Sequence, residues 1–147
     1  MKLELPDLAA MERFGARIAA AVRPGDVVAL SGTLGTGKTT LARAIIAALG
    51  HQGEVPSPTF TIVETYDPPA LRLPLVHADF YRLKHPAEAD EIGLDDYRSG
   101  AVLLAEWPEM AGGFADEPGC LSIILETAET GRIAIVELGA DWLGRLG

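Results

Sequence analysis

The stretch Gly32-Thr33-Leu34-Gly35-Thr36-Gly37-Lys38-Thr39 decides how this chain is read. It fits the phosphate-binding pattern G-x-x-x-x-G-K-[ST] at every fixed position. The flanks suit that reading. Val27-Val28-Ala29-Leu30 is a short β-branched apolar run that predicts a buried strand. Leu41, Ala44, Ile45, Ala48 and Leu49 are spaced as one face of a helix, and Gly50 stands where a C-cap glycine belongs. Glycines at 32, 35 and 37 let the backbone turn tightly and bring its N–H groups to phosphate oxygens. A helix starting near Lys38 points its positive dipole end at the same anion. Lys38 is of a length to reach β- and γ-phosphates, and the Thr39 hydroxyl is a ligand for Mg²⁺. The chain has lysine only at positions 2, 38 and 84, and one of these fills the required slot. The expected nucleotide contacts run from Gly32 through Thr33, Leu34, Gly35, Thr36, Gly37, Lys38 and Thr39 to Thr40.

The 147 residues predict one domain, 1–147, with a sizeable core. No apolar run is long enough to span a membrane, and Met1-Lys2-Leu3-Glu4 turns acidic too early for a secretory signal. The single Cys120 precludes an internal disulfide and suits a reducing compartment, so the expected location is cytoplasmic. The net charge is −9, from 21 acids against 12 bases. That argues against DNA binding or a broad nucleic-acid surface, because phosphate contacts need Lys and Arg. It leaves room for acting on RNA through a partner that carries the basic surface.

Along the chain, Leu3 and Leu5 alternate with charges, as in a short edge strand. Pro6-Asp7 opens a helix with Leu8, Met11, Phe14, Ile18 and Val22 on one face. After the loop and its helix, Thr59 to Tyr66 alternates as a strand, and Leu73 to His77 predicts a second strand in a hairpin with it, delivering Asp79. His85 to Ile92 predicts a short acidic helix, with another turn at Asp95 to Ser99. Ala101-Val102-Leu103-Leu104-Ala105 is the most uniformly apolar run and predicts a central strand ending on Glu106-Trp107-Pro108. Leu121 to Leu125 and Ile133 to Leu138 predict two strands around a turn at Thr130-Gly131, and Asp141 to Leu146 a last short helix. The whole predicts a three-layer α/β fold of the P-loop NTPase type, with a mixed, largely parallel central sheet.

Ligands in open α/β sheets sit beyond the carboxyl ends of the strands. Two acids occupy such ends. Glu106 follows the apolar strand and is the candidate second metal holder beside Thr39. Asp79 competes for that role or orders the attacking water. The candidate catalytic set is therefore Lys38, Asp79 and Glu106. His77 alone reads as a packing or capping residue. Arg82 reads equally as an arginine finger or a surface ion pair, and Trp107 as a stacking lid or a buried packing residue. Thr59 and Thr61, in Ser57-Pro58-Thr59-Phe60-Thr61, lie where GTPases place a switch loop.

Four blocks together carry a resemblance. They are the loop Gly32 to Thr40, Ser57-Pro58-Thr59-Phe60-Thr61, His77-Ala78-Asp79-Phe80-Tyr81-Arg82-Leu83, and Glu106-Trp107-Pro108-Glu109. In order and spacing the chain resembles the TsaE (YjeE) family from about residue 5 to residue 138. That resemblance implies an ATPase using ATP and Mg²⁺ and working with a TsaB–TsaD heterodimer. The assembly places a threonylcarbamoyl group on the adenosine beside the anticodon of tRNA. TsaD carries the transfer, tRNA is met mainly through the complex, and ATP hydrolysis resets it. It further implies that Thr39 and Glu106 hold the metal, that Asp79 supports hydrolysis and that Lys38 grips phosphates. By the same resemblance the Ser57 to Thr61 segment and Trp107 are expected to respond to nucleotide, and adenine is expected between Leu8 and the turn at Gly131-Arg132. The chain departs from the family at Thr33, where an acid is usual. Two rivals stand beside this reading: a small-molecule kinase, which would need an acceptor-binding insertion, and a nucleotide-binding switch without catalysis. Guanine specificity lacks its Asn-Lys-x-Asp signature.

Overall fold

The computed structural model describes residues 1–56 and 62–146. In chain order these form β1 (Lys2–Leu5), α1 (Leu8–Ala21), β2 (Val27–Ser31), α2 (Lys38–Ala48), β3 (Val63–Tyr66), β4 (Leu75–Asp79), α3 (Ala87–Glu91), α4 (Leu94–Arg98), β5 (Val102–Glu106), β6 (Cys120–Thr127) and β7 (Arg132–Leu138). Short 3₁₀ turns at Pro108–Ala111 and Ala140–Trp142 complete the set.

The strands make one seven-stranded sheet in the order β1-β7-β6-β2-β5-β4-β3. Its centre is parallel: β2 pairs with both β5 and β6, and β4 pairs with β5. Antiparallel strands flank it, β3 on β4, β7 on β6 and β1 on β7. Strands covered on both faces read as unbroken apolar runs, which is why β2 and β5 are nearly all Val, Leu and Ala. Alternate residues serve the two layers. Val28, Leu30, Val102 and Leu104 face the cluster under α1 and α2. Val27, Ala29, Leu103 and Ala105 face a second cluster that takes in Ala89 of α3 and Leu94 of α4. The fold is thus a three-layer α/β sandwich with a mixed sheet, as the sequence predicts. Cys120 is buried in the second cluster, and burial pushes its thiol up from the ordinary range.

Asp7 caps α1, its carboxylate accepting the Ala10 N–H at 2.8 Å. Helices α1 and α2 meet at Gly15, where a Cβ would stand 2.7 Å from that of Ala44. That approach lets Ile18, Leu41, Ile45 and Ile46 become fully buried. Each such side chain contributes about 1.5–3 kcal/mol relative to exposure.

Several expectations shift. Leu8 is 61 % exposed, not part of the α1 core face, because as the first helical residue it lies beside Thr40 and Gly131 at the helix end. Strand β4 runs from Leu75 to Asp79, two residues later than expected, since Pro74 has no N–H to offer a ladder. The final helix is reduced to the 3₁₀ turn at Ala140–Trp142. Of the strand predicted from Thr59 to Tyr66, Val63–Tyr66 forms β3 in the expected hairpin. Ser57 to Thr61, including Thr59 and Thr61, lies outside the described residues.

Candidate nucleotide site

The parallel register brings three strand tips together. Leu30 of β2 lies beside Glu106 of β5, and Glu106 beside Asp79 of β4. The glycine loop leaves β2 at that point, so both candidate acids stand next to it. Gly32 has φ 136°, and a Cβ there would fall 2.4 Å from the Leu125 carbonyl oxygen. A side chain at this position would push the loop off β6. Helix α2 begins from Gly37 with no side chain bonded to its first-turn amides, which leaves those N–H groups for an anion.

Lys38 is only 5 % exposed. Its ammonium donates to the carbonyls of Gly32 and Thr33, both at 2.8 Å. The ring of Trp107 covers it, with Nζ 4.3 Å from the centroid. Burial pushes this lysine below its usual range, while the nearby carboxylates of Glu106, Glu109 and Asp79 act in the opposite direction. Trp107 is held in the left-handed region at φ 56°, ψ 50°, costly for a bulky residue, and its ring packs at a tilt against Tyr81, centroids 4.9 Å apart.

Glu106 is 2 % exposed and uses both carboxylate oxygens. Oε1 accepts the Thr39 hydroxyl at 2.7 Å, and Oε2 meets His77 Nε2 at 2.7 Å. Asp79 is buried at the tip of β4, its Oδ1 accepting the Tyr81 N–H at 2.9 Å. Thr36 is turned inward, its hydroxyl donating to the Thr33 carbonyl at 2.9 Å. Arg132 braces the loop from β7: Nε donates to the Thr36 carbonyl and Nη2 to the Gly35 carbonyl, each at 3.1 Å.

A cavity of ≈ 440 Å³ opens here, lined by Lys38, Thr39, Asp79, Glu106 and Trp107 together with Leu34, Gly35, Gly37, Thr40, Tyr81 and Arg132. A smaller one of ≈ 210 Å³ shares Gly37, Thr40 and Arg132 with it and is lined further by Leu5, Asp7, Leu8, Met11 and Gly131. The structure therefore gathers most of the predicted residues among the described ones around two adjoining cavities. Gly32, Thr33 and Thr36 are not part of the lining, and neither is Arg82, which is exposed. Thr39, Glu106 and Asp79 offer oxygen donors only. That set suits a hard cation such as Mg²⁺, which keeps waters and phosphate oxygens among its ligands. Among the described residues no cluster of three or more His, Cys, Asp and Glu forms an all-protein metal cage.

The sequence reading missed three roles: the bond from His77 to Glu106, the ring contact of Tyr81 with Trp107, and the brace from Arg132. A signal existed for His77. It lies two residues before Asp79 in a strand and so shares its face.

The family model described as "Threonylcarbamoyl adenosine biosynthesis protein TsaE" matches residues 5–134. The chain belongs to the TsaE family. Among relatives named tRNA threonylcarbamoyladenosine biosynthesis protein TsaE, that of Haemophilus influenzae is 38 % identical over 123 residues, covering 80 % of this chain and 77 % of the relative. That of Streptomyces coelicolor is 44 % identical over 100 residues, 67 % of this chain and 68 % of the relative. Among solved structures, Bacillus subtilis YdiB superposes with a TM-score of 0.77 at 28 % identity, covering 97 % of this chain and 88 % of that one. The role of the TsaE family is in threonylcarbamoyladenosine biosynthesis. No helix among the described residues is long and apolar enough to cross a membrane.

Proposed function

We propose that the chain is a Mg²⁺-dependent ATPase that acts with TsaB and TsaD to form the threonylcarbamoyl group on the adenosine beside the tRNA anticodon, its hydrolysis of ATP resetting that complex. The observation that carries this reading is the 2.7 Å bond between Thr39 and Glu106 under the loop, with Asp79 on the adjoining strand tip. The loop amides and Lys38 bind the β- and γ-phosphates. Thr39 and Glu106 would hold the metal, whose positive charge would offset the charge that develops on the phosphates. Asp79 orients a water in line with the γ-phosphate and takes up its proton as the new P–O bond forms and the bond to the β-phosphate oxygen breaks. The slot lined by Leu5, Asp7, Leu8, Met11 and Gly131 takes the adenine.

Lys38, held by its own loop and covered by Trp107, must be released before it can grip phosphate, which supports slow turnover by the isolated chain. Docking on TsaB–TsaD supplies the competent geometry. The net charge of −9 accords with meeting tRNA through those partners in the cytoplasm. The test is ATP hydrolysis with TsaB, TsaD and tRNA added one at a time. A rate that is low alone and rises with TsaB and TsaD is expected; full turnover alone, unmoved by either, would overturn the proposal. Asp79→Asn should lower turnover by about 10²–10⁴-fold with ADP affinity retained. A switch without catalysis predicts no such separation.

A further inference from the structure

Glu106 reaches the metal region on a side chain one methylene longer than an aspartate, with an extra torsion to fix. His77 supplies the fixing contact. It lies on β4, wholly buried, one pleat back from Asp79 and paired in register with Leu104. Leu104 and Glu106 share a face of β5, so His77 sits behind Glu106 on the same side of the sheet. A carboxylate oxygen only accepts, so Nε2 carries the proton and donates to Oε2 at 2.7 Å. The Thr39 hydroxyl takes the other oxygen at 2.7 Å. Among the described residues His77 Nδ1 is buried without a hydrogen-bond partner. Among those residues the imidazole therefore satisfies no backbone group and serves no second side chain. Leu75, two residues back on the same face of β4, shows that an apolar residue would fill this layer without an orphaned polar atom.

We propose that His77 is a positioning residue for the metal site: by donating from Nε2 to Oε2 it sets the Glu106 carboxylate so that Oε1 stays aimed at Thr39 and Mg²⁺. The proposal rests on the nucleotide reading above. It assigns His77 no contact with ATP and no proton transfer. Partners of metal-holding carboxylates typically change metal affinity by about 10–100-fold when removed.

The experiment uses the full chain and measures ADP binding by calorimetry, in EDTA and across a Mg²⁺ titration, for the unsubstituted protein, His77→Leu and His77→Gln. The expected result is that His77→Leu raises the half-saturating Mg²⁺ concentration about 10–100-fold. Its affinity for ADP in EDTA should stay within about twofold, and His77→Gln, which keeps a donor at similar reach, should recover most of the loss. A half-saturating Mg²⁺ concentration unchanged in His77→Leu overturns the proposal. So does an equal fall of affinity with and without Mg²⁺, the mark of a histidine that only packs. If His77→Leu does not fold, His77→Asn, which is too short to reach Glu106, is measured with the same two outcomes. Combining His77→Leu with Glu106→Asp should add little to either alone, because one contact is removed twice. A protein that binds no ADP before any substitution sinks the nucleotide reading itself, and is told apart from failure of the His77 assignment by that first titration.

Discussion

Two buried charged clusters sit at opposite ends of β2, and they are built on opposite plans. Below the strand, Asp26 is fully matched. Its Oδ2 accepts from Arg145 at 2.6 Å and from the Arg23 N–H at 2.7 Å, and its Oδ1 accepts from Arg145 at 3.2 Å. The guanidinium also donates to the Ala21 carbonyl and lies 4.1 Å from the centroid of the Trp142 ring. Above the strand, Lys38 is held by carbonyls with three carboxylates nearby, under a tryptophan in a backbone conformation that costs energy. The lower cluster closes the C-terminal segment onto the fold. The upper one keeps a cation and two acids poised around open space. Charge that is matched by a counter-charge within the fold serves stability; a cation held by carbonyls is, on the proposed reading, held for an anion, and the fold bears its cost.

The largest expected effect separates these plans directly. Arg145→Ala leaves Asp26 buried without its ion-pair partner and should lower unfolding free energy by about 3–5 kcal/mol, read by urea denaturation. The double change Asp26→Asn with Arg145→Met should cost clearly less, since no lone charge remains. ADP affinity of the folded protein should hold in both. Lys38→Met should do the reverse. It removes a buried cation whose carbonyl partners at Gly32 and Thr33 remain reachable by water, so stability should rise by about 0.5–2 kcal/mol while nucleotide binding collapses. A Lys38→Met protein that is less stable than the parent would break the comparison.

The two clusters also differed in how far the sequence could announce them. The loop was legible because phosphate binding demands Gly, Lys and Thr at fixed local spacing, and its flanks carry strand and helix periods that need no tertiary information. Glu106 and Asp79 were legible one step further out, as acids at the ends of apolar runs. The pair of Asp26 and Arg145 lies 119 residues apart, and nothing local in either residue marks its partner. The bond from His77 to Glu106 spans 29 positions and becomes visible only once β4 and β5 are known to be parallel neighbours. Arg132 was placed near the base by resemblance, yet its bonds to the Gly35 and Thr36 carbonyls depend on β7 passing beside the loop. Leu8 carried the right period and still faces outward, because a helical pattern does not say where the covering layer stops.

The smallest effect tests the upper cluster through pH. Burial lowers the Lys38 ammonium from its ordinary range. Below that lowered pKa the side chain is charged and attracts phosphate; above it the charge and the attraction are lost. A bound polyphosphate favours the charged form, so the complex holds its proton to higher pH than the free protein does. Between those two values ADP affinity should fall by about tenfold per pH unit. The decline should begin below about pH 10.4, where an exposed lysine would lose its charge. Lys38→Arg should bind more weakly at neutral pH, its planar head fitting the loop poorly, but should show no decline across the same window because guanidinium stays charged. Calorimetric ADP titrations from neutral to alkaline pH on both proteins decide it. A parent curve that stays flat to the ordinary lysine range would mean that the three neighbouring carboxylates, not burial, set the charge of Lys38.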